Sequence, residues 1–454
     1  MNKQRILFIT PLPPPVHGSA MVSQYIKDSK ELQEKYVCDF VNLSTSRSMD
    51  EIGKRSIMKY VRFLGAYLLT LWKLITCSYS ICYLAITCHG LGFLKDAPFV
   101  PLCKLFGYKV VIHQHNKGMS KCVDKQPYKW LLPLVYRNTT VILLSWNLYP
   151  DIEKVVKKEQ VVICPNGIPE LFDKEPHFER NNEVPHLLFL SNLLPSKGVY
   201  VLLDACKILK DKGYKFICDF VGGESKDITR EIFEHAKNKR DLQDYVIYHG
   251  PQYGKDKIKY FTGASIFVHP TMDDAFPLTL LEAMQYSLPI ISTDIGGIKD
   301  IVENNKNGYI CETNNAVSLA TAIEVLMKDK EKRTLFGGNG CSIYKDKFKL
   351  DTSTAGEVSS GFGSVGLSTF AGAATYANPV ANGMFLTSFG LSSYLSNLET
   401  MLKEGASIKE ANTKALLGGV LEVASEKAGL KIAGKYTNTL LKKYGARFGI
   451  EGIQ

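Results

Sequence analysis

The chain has 454 residues, 45% of them hydrophobic and 22% charged, and its 55 Lys plus Arg against 45 Asp plus Glu leave a formal charge of +10. That length is about three times a usual domain and the apolar content supports more than one core, which excludes global disorder, a collagen-like repeat and a small disulfide scaffold. The basic balance suits an anionic partner such as a nucleotide or a phospholipid; a nucleic-acid partner rests on net charge alone and is set aside.

Arg5 to Thr10 is an apolar run ended by Pro11-Leu-Pro-Pro-Pro15. It is too short for a signal-peptide core and reads as a first strand, after which Gly18 opens a helix to about Leu32. Tyr36 to Leu43 follows as a strand, and Lys59 to Thr76 repeats apolar residues at helical spacing. Ser80 to Thr87, short and rich in Ile and Tyr, reads as a strand. A helix from about Pro98 to Leu105 leads to the strand Lys109 to His113, with further strands at Val141 to Ser145 and Val161 to Cys164. Tyr60 to Leu105 is the most apolar region, yet Lys73, His89, Lys95 and Asp96 interrupt it, so a surface-lying helix or ordinary core is expected rather than a spanning segment.

Residues 169–186 are polar and read as a linker. A second series then alternates strands at 186–190, 215–221, 245–248, 265–269 and 289–292 with helices at 197–210, 227–237, 255–261, 276–285, 298–302 and 317–327. Alternation in both halves predicts an α/β chain with two doubly wound parallel sheets and a cleft between them, ligands gathering at the carboxyl ends of the strands. Beyond Leu350 the composition shifts. Residues 351–390 are rich in Gly, Ala, Ser and Thr with only Asp351 and Glu357 charged, a linker composition, and helical spacing returns over 391–454. The eleven cysteines stand singly, without CxxC or a Cys/His zinc spacing; those in apolar runs, such as Cys82 and Cys218, read as buried hydrophobes in a reducing compartment.

Four places carry chemistry. The loop Pro13 to Ser19, with His17 and Gly18 at a helix start, offers backbone N–H groups to a phosphate or an acceptor, although neither GxGxxG nor GxxxxGK[ST] is present and a plain turn remains open. His113 and His115 close a strand on one side, where each can hydrogen-bond a sugar hydroxyl or simply satisfy the core. Lys197, in Ser191-Asn192-Leu-Leu-Pro-Ser-Lys197-Gly198, is placed to compensate a diphosphate, or is a solvated lysine. Asp274 and Glu282, eight positions apart around Phe276-Pro277, can grip hydroxyls at two ends of an extended ligand; the alternative is a dipole-stabilising acid and an unrelated surface Glu.

Taken with Pro165-Asn166-Gly167-Ile168, Val221-Gly222-Gly223, His249-Gly250, Pro289 and Gly296-Gly297, these pieces make residues 1 to about 350 resemble the retaining glycosyltransferases of the GT-B fold, group 1 or family 4, which build capsule, exopolysaccharide and lipopolysaccharide. The resemblance implies two Rossmann-like domains facing a cleft, an acceptor-side domain at 1–168 and a nucleotide-sugar domain at 187–350, with 351–390 and 391–454 an atypical linker and helical tail. It implies a hexose moved from a UDP- or GDP-sugar to a lipid-linked or polysaccharide acceptor, without a metal or other cofactor, by a cytoplasmic protein in peripheral contact with the anionic inner face of the membrane.

By position in the family's motifs, His115, Asp274 and Lys197 are the catalytic candidates. Glu282, Asn192, Lys197, Gly222, Gly223, His249, Phe276 and Pro277 fall on the donor side, and Gly18, His17 and His113 on the acceptor or phosphate loop. Two residues depart from the pattern: Asp274 stands where the family has Glu, and Asn192 where it has an arginine that faces the leaving diphosphate. The helix with which the family closes back onto its first domain is not legible after Leu350. A GT-B nucleotide-sugar epimerase and a non-catalytic nucleotide-sugar-binding protein are the alternatives.

Overall fold

The computed structural model describes residues 3–47, 51, 56–172, 178 and 184–350; the linker and helical tail read from 351–454 lie outside them. The first lobe is a six-stranded sheet in the order β2-β1-β3-β4-β5-β6, every neighbouring pair parallel. Its strands are β1 (Arg5–Thr10), β2 (Val37–Asn42), β3 (Ile81–Leu84), β4 (Lys109–Gln114), β5 (Thr140–Leu143) and β6 (Val161–Ile163). Its helices are α1 (Gly18–Asp28), α2 (Lys30–Lys35), α3 (Ile57–Thr76), α4 (Gly90–Asp96), α5 (Phe99–Leu105) and α6 (Tyr128–Tyr136). Strands such as β3 and β5 are buried at every position, as a parallel sheet covered on both faces requires.

A short strand β7 (Ile168–Pro169) leaves the first lobe, and the second repeats the plan in the order β10-β9-β8-β11-β12-β13, again all parallel. These strands are β8 (His186–Leu190), β9 (Ile217–Val221), β10 (Val246–Tyr248), β11 (Ile266–His269), β12 (Ile290–Thr293) and β13 (Gly308–Cys311). Helices α7 (Val199–Asp211), α8 (Arg230–Asn238), α9 (Ile258–Gly263), α10 (Leu278–Gln285), α11 (Ile298–Ile301), α12 (Ala316–Lys328) and α13 (Lys330–Lys347) connect and cover them. In each sheet the chain order reverses beside the first strand, β1 or β8, and the loops leaving that strand and its neighbour open the crevice where α/β proteins bind ligands. The two lobes thus form the GT-B arrangement of paired Rossmann-like units across a cleft.

The sequence reading missed α4, α6, β13 and α13. The loss of α13 matters most. Its buried side presents Phe336, Gly337, Gly340, Cys341, Ile343 and Tyr344, too rich in glycine for an apolar stripe to stand out. Gly337 lets it lie close on the C-terminal turn of α10: a Cβ there would meet the Ser287 carbonyl oxygen at 2.1 Å. The helix runs back to the connection between the lobes. The Tyr344 hydroxyl donates to the Ile168 carbonyl at 3.0 Å, and β14 (Lys349–Leu350) pairs in parallel with β7. α13 therefore reaches the connecting strand β7, and a closing helix after Leu350 would lie outside the described residues. The described ends of the connection are not bare either: Phe172 and Phe178 pack on Tyr286 with ring centroids 5.2 and 5.4 Å away.

Candidate active site

In the first lobe, the loops after β1, β2, β3 and β4 enclose a pocket of about 230 Å3, with His17, Ser44, Thr45, Thr87, Lys95, Asp96 and His115 among its walls. His17 caps α1, its Nδ1 accepting from the Ala20 N–H at 3.4 Å and lying 3.1 Å from the Ser19 hydroxyl. Gly18 opens that helix, and a Cβ there would meet nothing within 4 Å, so its contribution is space rather than backbone freedom. Asp96 is buried and paired with Lys95 at 2.8 Å, and it accepts the Thr87 N–H at 3.0 Å.

Alternation along β4 puts His113 and His115 on one side, their rings 3.9 Å apart, and turns Gln114 to the other, where it accepts from the Tyr136 hydroxyl at 2.8 Å. The two histidines differ in depth. His113 is fully buried beneath the pocket, 2.5 Å from the Tyr83 hydroxyl. His115 lines the pocket, and neither of its ring nitrogens has a partner. Burial, helped by His17, pushes the His115 pKa down to about 3, so the ring is neutral at physiological pH with one donor and one acceptor unspent.

In the second lobe the two switch-point loops interlock. Lys197 donates to Asp274 Oδ2 at 2.6 Å and to the Asp273 carbonyl at 2.8 Å. Gly198 makes this possible: its φ is +79°, and a Cβ would sit 2.1 Å from the Pro270 carbonyl oxygen. Asp274 also accepts from the Ala275 N–H at 2.9 Å and lies 3.3 Å from Nε2 of buried His269. Burial alone would raise its pKa, but the Lys197 ammonium and His269 outweigh that and hold it far below the usual carboxylate range. Gly296, at φ +59°, packs where a Cβ would clash with the Asp274 carbonyl at 2.4 Å, fixing the loop from the far side.

Glu282, the fifth residue of α10, has its two oxygens in unlike settings. Oε1 accepts from Lys257 at 2.5 Å, and Oε2 is buried without a partner. Its charge, after burial, is what raises the hydroxyl of Tyr25, from α1 of the other lobe, to about 12. Asn192 Oδ1 accepts the Gly223 N–H at 3.0 Å, and Gly222 passes so near Ser191 that a Cβ would lie 1.9 Å from its carbonyl oxygen. Phe276 is a packing residue, edge-on to Phe348 at 5.8 Å, while its carbonyl accepts from Asn166 across the interlobe boundary at 3.3 Å. Pro277 precedes α10 at its N-cap. His249 gives its Nε2 to Asp219 at 2.7 Å, and His186 reaches the other oxygen of that carboxylate at 3.1 Å. Of the sequence candidates, the structure gathers Lys197 and Asp274 into one cluster and places His17, Gly18 and His115 around the first-lobe pocket and its entrance helix. His113 lies beneath that pocket, and His249 is engaged with Asp219.

The two halves meet through residues the sequence reading did not single out. The loop after β4 is pinned by Asn116, which accepts the Cys88 N–H at 3.2 Å, and by Asp151, which takes the N–H groups of Gly118, Met119 and Ser120 at 2.8 to 3.1 Å. Between those anchors Lys117 reaches Asp273 at 3.4 Å, with Lys121 3.8 Å from its other oxygen. His115 thus stands two residues from a lysine that touches the neighbour of Asp274. Among the described residues no group of three or more His, Cys, Asp or Glu is arranged to hold a metal ion.

Residues 172–341 match the family model described as Glycosyl transferases group 1. The matched segment falls on the second lobe. A capsular polysaccharide biosynthesis glycosyltransferase, CapM of Staphylococcus aureus, is 26% identical over 160 residues, 35% of this chain and 41% of that protein. The chain spans about half the length of the curated relatives it matches. Among solved structures, sucrose-phosphate synthase from Thermosynechococcus elongatus superposes with a TM-score of 0.63 at 17% identity, covering 81% of this chain and 98% of that one. Anabaena HepE in complex with UDP-glucose gives 0.57 at 14%, covering 76% and 95%. At these identities the likeness speaks to the fold, and both agree with the two-lobed architecture.

Proposed function

We propose that this chain is a group 1 glycosyltransferase, a retaining hexosyltransferase taking a UDP- or GDP-linked hexose to a lipid-linked or polysaccharide acceptor. The observation that carries the reading is the pair of unspent polar groups on opposite lobes: a neutral His115 with both nitrogens open in the first-lobe pocket, and Glu282 Oε2 buried and unpartnered in the second. The first suits an acceptor hydroxyl and the second a donor ribose hydroxyl. The name of CapM and the UDP-glucose held by HepE support the same class of reaction.

In this reading the bond from the anomeric carbon to the diphosphate breaks and negative charge develops on the leaving group. Lys197, with the N–H groups of the loop that Gly198 shapes, is placed to meet that charge. Asp274, tied by Lys197 and His269, is a poor nucleophile. Retention then follows from delivery of the acceptor oxygen on the face the diphosphate leaves, with the acceptor proton passing to the departing phosphate oxygen. The chemistry asks for no metal, so activity is expected to survive chelation.

A membrane role falls on α3. Its outward face carries Ile57, Met58, Tyr60, Val61, Leu64, Leu68, Leu69, Trp72 and Ile75 and no charged residue, with Trp72 58% and Ile75 65% exposed. The cations along and beside this helix are turned inward: Lys59 to the Glu51 carbonyl, Arg62 to Glu51, Lys73 to Asp39, and Lys95 to Asp96 and the Leu43 carbonyl. We therefore expect contact with the inner face of the cytoplasmic membrane, driven by apolar burial more than by attraction to anionic headgroups. No helix among the described residues is long and apolar enough to cross a bilayer. Calorimetric titration with UDP, GDP and their hexoses tests the donor reading, and no binding at millimolar concentration would end it.

A further inference from the structure

At the donor edge of the second lobe the charges nearly cancel. Lys197 faces Asp274 at 2.6 Å and the carbonyl of Asp273 at 2.8 Å, and Asp273 adds a second carboxylate to the same loop. One lysine against two aspartates leaves that edge with a net negative charge, and Asn192, bound to the Gly223 N–H, supplies no cation. Such an edge is poorly suited to a diphosphate. The balance is corrected from the other lobe, where Lys117 and Lys121 meet Asp273 at 3.4 and 3.8 Å and turn the local sum positive.

We propose that Lys117 is a donor-contacting residue supplied in trans across the cleft: when a nucleoside diphosphate sugar enters, its ammonium exchanges Asp273 for a phosphate oxygen and stabilises the leaving diphosphate. This inference rests on the donor reading above. Three observations support Lys117 over its neighbour. Its loop is held on both sides, by Asn116 and by the Asp151 carboxylate, so the lysine emerges from a fixed backbone. Its side chain is 22% exposed against 74% for Lys121, so its charge is less screened. It also stands two residues beyond His115, on the loop that leaves β4 and whose first residues line the acceptor pocket. Asp273 holds the ammonium until a ligand arrives, which keeps two like charges, Lys117 and Lys197, tolerable in the empty cleft.

The test compares the intact protein with Lys117→Met, Lys117→Arg, Asp273→Asn and Glu282→Ala, each titrated with UDP, GDP and the matching free nucleosides. Using whichever diphosphate the parent binds, Lys117→Met is expected to lose about tenfold in affinity, the scale of one charge-assisted contact, with nucleoside affinity unchanged. Lys117→Arg should recover most of the loss, and Asp273→Asn should bind the diphosphate as tightly as the parent or tighter. If Lys117→Met binds the diphosphate as well as the parent while Glu282→Ala weakens it, the proposal is wrong and the donor reading stands. If Asp273→Asn reproduces the loss, Lys117 serves only as an interlobe tie, which also overturns it. If the parent binds no nucleoside diphosphate, the donor reading fails and takes this inference with it.

Discussion

Glu282→Ala tests the donor side most sharply, because the two carboxylate oxygens separate its structural and binding parts. Oε1 is committed to Lys257 at 2.5 Å, and Oε2 is buried and unpaired. A ribose hydroxyl donating to Oε2 would form a charge-assisted hydrogen bond worth about 2 kcal/mol, or roughly thirtyfold in affinity. Alanine removes this bond and leaves Lys257, whose side chain is 26% exposed and able to turn to water. Glutamine is the poorer probe, since its amide can set an NH2 group against that ammonium. The assay is calorimetric titration of parent and variant with a nucleoside diphosphate and its 2′,3′-dideoxy analogue. The parent should bind the analogue roughly thirtyfold more weakly, and the variant should bind both ligands alike at the weaker level. Equal affinity of parent and variant for the ribose form, or a further loss with the analogue in the variant, would remove Glu282 from the ribose site.

Stability should fall as pH drops from about 6.5 towards 3, because burial depresses the His115 pKa to about 3: in that window the unfolded chain takes up a proton the native ring refuses. Denaturant titrations at pH 7 and pH 4.5 should show that slope, and His115→Asn should reduce it; an equal slope in the variant would contradict the assignment. Gly198→Ala forces alanine to φ +79° and its Cβ against the Pro270 carbonyl, so a loss of at least about 2 kcal/mol is expected in thermal melts, along with weaker diphosphate binding as Lys197 shifts. Leu68→Glu with Trp72→Glu, both on the outer face of α3, should abolish flotation with liposomes while leaving the melt unchanged. Flotation of the parent should persist at high salt, and loss of flotation on adding salt would show that headgroup charge dominates.

The alternating strands and helices were legible because parallel strands covered on both faces are continuous apolar runs, as in β3 and β5. Other elements escaped for different reasons: Tyr128–Tyr136 is apolar nearly throughout but carries Pro133 inside the helix, and α13 packs through glycines, so its apolar stripe is faint. Within the site, motif order pointed to Lys197, Asp274 and Glu282, and strand alternation placed the two histidines on one side. Alternation could not say that His113 lies in the layer beneath His115, since depth depends on Tyr83 from another strand. Nor could local sequence reveal Lys117 or Lys257: each matters through a partner far away in the chain, Asp273 and Glu282 respectively. The charge of Lys117 acquires meaning only when two lobes face each other.

Transfer with retention is read from NMR of the product formed from a panel of UDP- and GDP-hexoses with a lipid extract as acceptor. The expected result is release of the nucleoside diphosphate that depends on acceptor, with the new glycosidic bond keeping the anomeric configuration of the donor sugar. An inverted linkage would contradict the same-face delivery argued from the locked Asp274, and an isomerised sugar released without any acceptor would contradict glycosyl transfer itself.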